Sequence, residues 1–122
     1  MTVKESGEMY LETILRLQKT GISVHSIDVA KALNFTKPSV SRSIKILQEN
    51  GYITLDSHKA ISLTESGLAI ANTILERHEI LTKYLIHLGV SPEVAETDAC
   101  RIEHVISHET FGKIVEEFKR LS

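Results

Sequence analysis

Residues 26 to 63 leave this chain few ways to fold. Ser26 caps a short helix over 27–33, in which Val29, Ala30 and Leu33 share one face. Asn34-Phe35 makes a turn. Thr36 then caps a second helix that holds Pro38 in its first turn, where a missing N–H costs little. That helix is predicted to run to about residue 49, stopped by Asn50-Gly51. Its stripe Val40, Ile44, Leu47 faces inward, and its other face carries Lys37, Ser39, Ser41, Arg42 and Lys45. Residues 52–55 and 60–63 alternate as two short strands, with Asp56-Ser57-His58-Lys59 as the hairpin tip. A short helix, a turn, a polar-faced helix and a hairpin, in that order, make a winged helix-turn-helix, whose second helix enters the major groove.

The flanking segments read as helices. Met9, Leu11, Ile14, Leu15 and Leu17 fit one face of a helix over 6–19, which Gly21 ends. Thr64 caps a long helix over 65–88, and Gly89 closes it. Ser91-Pro92-Glu93 opens another, over about 92–106. Ser107 caps a last one with Phe111, Ile114, Val115 and Phe118 on one side. The chain is therefore mostly α: a winged helix-turn-helix over 1–64, then an all-helical domain over 65–122. No apolar run approaches the roughly 20 residues of a membrane span, and the first ten residues carry no signal-peptide pattern. A single cysteine, Cys100, rules out an internal disulfide and suits a reducing compartment, so a cytoplasmic location is expected.

The net charge of −2 does not advertise nucleic-acid binding, but its distribution does. Residues 25–60 hold five Lys/Arg against three acids, and residues 61–122 hold six against ten. DNA affinity rests on local phosphate contacts, not on the whole-chain sum. The expected DNA contacts are Thr36, Lys37, Pro38, Ser39, Ser41, Arg42 and Lys45, with His58 and Lys59 at the wing tip. Arg42 is suited to bidentate reading of guanine, and the serine hydroxyls to bases or phosphates. The opposing reading is a merely solvated polar face; against it, the face carries no acid until Glu49.

Cys100, Glu103 and His104 fall on one face of the helix predicted there, with Glu96 one turn earlier. A thiolate, a carboxylate and an imidazole together suit a divalent transition metal. Taken alone, the same trio also describes a buried thiol beside an ion pair. Met9 and Glu12, at i and i+3 on the first helix, add a thioether and a carboxylate, and His78 sits among Ile74, Leu75, Leu81 and Leu85. Core packing is the plainer reading of Met9 and of His78. His25, His58, His87 and His108 have no comparable company, His108 lying past the expected helix end.

These residues resemble, over nearly the full length, the diphtheria toxin repressor and manganese transport regulator family of bacterial metalloregulators. The resemblance rests on Glu8-Met9-Tyr10-Leu11-Glu12, Thr36-Lys37-Pro38-Ser39-Val40-Ser41, Leu63-Thr64-Glu65-Ser66-Gly67, Arg77-His78 and Cys100-x-x-Glu103-His104. It is to the short form, without an SH3-like domain. It implies metal ligands at Met9, Glu12, His78, Glu96, Cys100, Glu103 and His104. Met9 and Cys100 follow the iron-responsive branch and Glu12 the manganese-responsive one, while Thr82 stands where the iron branch has a second-site glutamate. The implied cofactor is Fe(II) or Mn(II), with Co(II), Ni(II) or Zn(II) binding in vitro.

The resemblance also implies a repressor that, metal-loaded, binds a palindromic operator as a homodimer and controls metal-uptake genes. Its partners would be double-stranded operator DNA and a second copy of the chain, with no membrane and no small-molecule substrate. Two rivals are a winged-helix repressor answering to a small organic ligand and a protein-interaction module. An enzyme is not expected: there is no HExxH motif, nucleophile elbow or glycine-rich phosphate loop.

Overall fold

Six helices and one hairpin make up the computed structural model of the protein, which describes residues 5–121. The expectation about the first few residues thus lies partly outside the described chain. The backbone divides into two compact units, 1–72 and 73–122.

In the first unit, α1 (Glu5–Lys19) buries Tyr10, Leu11, Ile14 and Leu15. α2 (Ser26–Leu33) begins one residue earlier than its sequence suggests. His25 is its N-cap, and the Asp28 carboxylate accepts the His25 backbone N–H at 2.8 Å. Asn34 closes α2 in the left-handed region (φ 57°, ψ 43°), a conformation asparagine tolerates. α3 (Lys37–Glu49) is capped by Thr36, whose Oγ1 accepts the Ser39 N–H at 3.4 Å. It buries Val40, Ile44 and Leu47, the stripe the sequence predicts.

β1 (Ile53–Leu55) and β2 (Ile61–Leu63) pair antiparallel, Thr54 opposite Ser62. Ile61 joins this hairpin to the rest of the unit: its N–H donates to the Val24 carbonyl at 2.7 Å, and its carbonyl accepts from Gln18 at 3.2 Å. The core is Leu11, Ile14, Val24, Val29, Val40 and Ile53, each almost fully buried. Burying side chains of this size contributes about 1.5–3 kcal/mol apiece. α4 (Glu65–His87) starts here, with Thr64 Oγ1 accepting the Gly67 N–H at 3.2 Å. Gly67 must be glycine, because a Cβ there would run into the Tyr52 backbone carbonyl.

In the second unit, α4 contributes buried Ile74 and Leu81, and α5 (Pro92–Ile102) contributes Ala95 and Ala99. α6 (His108–Leu121) is capped by Ser107, which accepts the Thr110 N–H at 3.1 Å. Tyr84 meets the Phe118 ring edge-on at 6.4 Å. α5 is shorter than expected. Its helical backbone ends at Ile102 instead of running to about residue 106, and Glu103 to Val105 form a turn. No helix among the described residues is long and apolar enough to cross a membrane.

Candidate metal centre and nucleic-acid interface

The expected DNA contacts are set out by how α3 is seated. With Val40, Ile44 and Leu47 buried, Lys37, Pro38, Ser41, Arg42 and Lys45 are left exposed, and Ser39 half-buried. The first turn of α3 holds no acid. The helix dipole at this end therefore favours a phosphate, undisturbed by a local carboxylate. The Phe35 ring leans edge-on against Tyr10, centroids 6.1 Å apart, which fixes the turn leading into α3.

The wing tip is built by Asp56. Its Oδ1 accepts the backbone N–H of His58 at 2.8 Å and of Ala60 at 2.9 Å. Lys59 takes a left-handed backbone (φ 62°) and, like His58, is exposed. The two expected wing contacts are thus held out on an ordered tip.

The second unit brings three of the expected metal ligands together. Glu103, in right-handed helical conformation just past α5, has a fully buried side chain. Its Oε2 lies 2.8 Å from His78 Nδ1 on α4, and its Oε1 lies 3.3 Å from His104 Nε2. A carboxylate only accepts, so a neutral His78 carries its proton on Nδ1 and keeps the Nε2 lone pair for another partner. Glu103 Oε1 is buried and accepts no hydrogen bond among the described residues. A buried carboxylate oxygen without a donor is costly. A divalent cation would remove that cost, and a carboxylate and an adjoining imidazole are donors that such an ion takes. The residues present therefore fit a metal.

Cys100 and Glu96 are exposed on α5, one turn apart. Met9 is half-buried and Glu12 buried on α1 in the first unit, where Glu12 Oε2 accepts from Arg16 Nη2 at 2.7 Å. Two residues around the centre carry more than their sequence shows. Buried Arg77 donates to the Glu103 carbonyl at 3.3 Å and bonds His108 Nδ1 at 2.7 Å, so His108 has company after all. The juxtaposition Arg77-His78 is visible in the sequence; partners 26 and 31 residues away are not.

A winged helix-turn-helix reader and a helical unit with a buried Glu–His cluster define a class of metal-responsive DNA-binding regulators. Residues 2–61 match the N-terminal DNA binding domain of the iron dependent repressors, and residues 64–122 match their metal binding and dimerisation domain. The chain belongs to the iron-dependent repressor family.

The Diphtheria toxin repressor of Corynebacterium diphtheriae is 27% identical over 97% of this chain and 53% of its own length. Transcriptional regulator MntR of Escherichia coli O6:H1 is 36% identical over 88% of the chain and 69% of its own length. The chain spans about half the length of the first curated relatives it matches. A solved manganese-dependent transcriptional repressor in complex with manganese superposes with a TM-score of 0.84 at 26% identity, covering 93% of this chain and 52% of that one. These relatives are regulators, not enzymes, and they favour the metal-responsive reading over one in which an organic ligand is sensed.

Proposed function

We propose that this protein is a metal-activated repressor, cytoplasmic, which binds a palindromic operator as a homodimer when loaded with Fe(II) or Mn(II) and thereby controls metal-uptake genes. The observation that carries the reading is the Glu103 carboxylate, buried between His78 and His104, in a chain whose two halves both match iron-dependent repressors. The functional division is a DNA-binding part over 1–64 and a metal-binding, dimerising part over 65–122.

His78, Glu103 and His104 form the nucleus of the ligand set; the family resemblance adds Cys100, Glu96, Met9 and Glu12 as candidate ligands. The ion supplies positive charge and directional bonds to those donors. Sulfur from Met9 and Cys100 favours Fe(II), and the carboxylates favour Mn(II). On the reading side, Thr36, Lys37, Pro38, Ser39 and Ser41 enter the major groove, Arg42 reads a guanine, and Lys45, His58 and Lys59 hold the backbone. Coupling requires only that the DNA-competent arrangement hold metal more tightly than the alternatives. A tenfold preference corresponds to about 1.4 kcal/mol, within the usual range for such coupling.

Support for the homodimer comes from α6. Its apolar positions Phe111, Ile114, Val115 and Phe118 lie on one side of the helix, yet none is fully buried. Leu88, Val94 and Val105 are also exposed in the same unit. Apolar surface of this kind suits a two-fold interface.

The test is selection of binding sites from a random duplex pool in Mn(II), followed by chelation. Enrichment of an inverted repeat that is released by chelator is expected. Binding that survives chelation unchanged would refute the metal requirement.

A further inference from the structure

We propose that Arg77 is a positioning residue of the metal centre, its guanidinium fixing the turn that carries Glu103 and His104. The inference rests on the reading of His78, Glu103 and His104 as that centre. Arg77 precedes His78 on α4 and is 7% exposed. A buried guanidinium is expensive unless its donors are used. None of its partners among the described residues is a carboxylate. Nη1 donates to the Glu103 carbonyl at 3.3 Å, Nη2 to His108 Nδ1 at 2.7 Å, and the charge lies 5.1 Å from the Phe111 ring centroid, over its face.

Each contact acts either on the ligand turn or on the start of α6. α5 ends at Ile102, so the Glu103 carbonyl belongs to the group of C-terminal acceptors that a helix leaves unfilled. Arg77 fills it from another helix, with the sign of charge that a helix C-terminus favours. The contacts to His108 and Phe111 hold the first turn of α6, directly after the ligand turn. One turn of α4 therefore carries ligand His78 and also fixes the backbone of Glu103, whose carboxylate sits 2.8 Å from that His78. Because guanidinium only donates, His108 must offer Nδ1 as a lone pair. An asparagine at 108 can supply an acceptor oxygen in its place; a leucine cannot.

The test is Co(II) titration of the full chain, followed by visible absorption, with thermal melts of the metal-free proteins as the folding control. Arg77→Met should bind Co(II) about 10–100-fold more weakly, with a shifted d–d spectrum, as loss of such outer contacts usually does. His108→Leu should shift the spectrum in the same direction, and His108→Asn should restore it. If Arg77→Met fails to fold, Arg77→Lys keeps the charge but loses the fork and is read in the same way. A wild-type spectrum and affinity in Arg77→Met, or in Arg77→Lys where that stands in, would overturn the inference alone. No Co(II) signal from the wild-type chain would overturn both it and the metal-centre reading.

Discussion

Gly67 and Arg42 show how differently single residues serve this chain. At Gly67 the demand is steric: the Tyr52 carbonyl lies where a Cβ would go, and backbone cannot rotate aside as a side chain would. Gly67→Ala should cost about 1–3 kcal/mol, measured by chemical denaturation, with no change in the sequence the protein prefers on DNA. Arg42 is exposed. Arg42→Ala should leave stability within about 0.5 kcal/mol. It should weaken binding to a selected site by about 1–3 kcal/mol and relax preference at one base pair, seen by comparing matched and mismatched duplexes. Loss of stability in place of specificity would remove Arg42 from the reading set.

Among the elements, α3 is the one on which DNA reading depends in the proposed function, and its start rests on Thr36. Thr36→Ala should destabilise the first unit by about 0.5 kcal/mol. The cap bond is long at 3.4 Å, so the loss should fall at the low end of the usual range, measurable as a lowered melting temperature. α3 is legible in the sequence because cap, proline and stripe all agree: Thr36, Pro38, then Val40, Ile44 and Leu47. The hairpin is legible from alternation, whereas the role of Asp56 in building its tip is not, since a side-chain bond to backbone leaves no periodicity.

The end of α5 escapes sequence reasoning for a physical reason. No glycine, proline or asparagine marks a stop between Ile102 and Ser107. The Ile106 N–H still reaches the Ile102 carbonyl at 3.0 Å, so helical spacing outlasts the helix. Glu103 and His104 therefore keep their expected association while belonging to a turn. The pairing of Arg77 with His108 is equally hidden, because contact across 31 residues is set by tertiary packing, which local pattern does not encode.

For the whole molecule, the proposed function makes metal and DNA binding linked equilibria, so conditions that touch one should reach the other. Thiolate, carboxylate and imidazole ligands bind metal deprotonated, and protons compete for the same atoms. At fixed free metal, lowering pH should therefore weaken metal binding and, through it, operator binding, read by fluorescence anisotropy across a pH series. Tighter DNA binding in acid would contradict the linkage. A second reach is thermal: metal that binds the folded chain alone should raise the melting temperature, by about 2.7 kcal/mol of added stability at a hundred times the dissociation constant.

The most direct measurement is operator affinity against free Mn(II) or anaerobic Fe(II), for the wild-type chain and for Glu103→Gln. Wild-type affinity should rise at least tenfold over the metal titration and fall back with chelator. Glu103→Gln should remain folded, keep the weak metal-free affinity and show little rise. Equal, metal-independent affinity in both proteins would contradict metal activation.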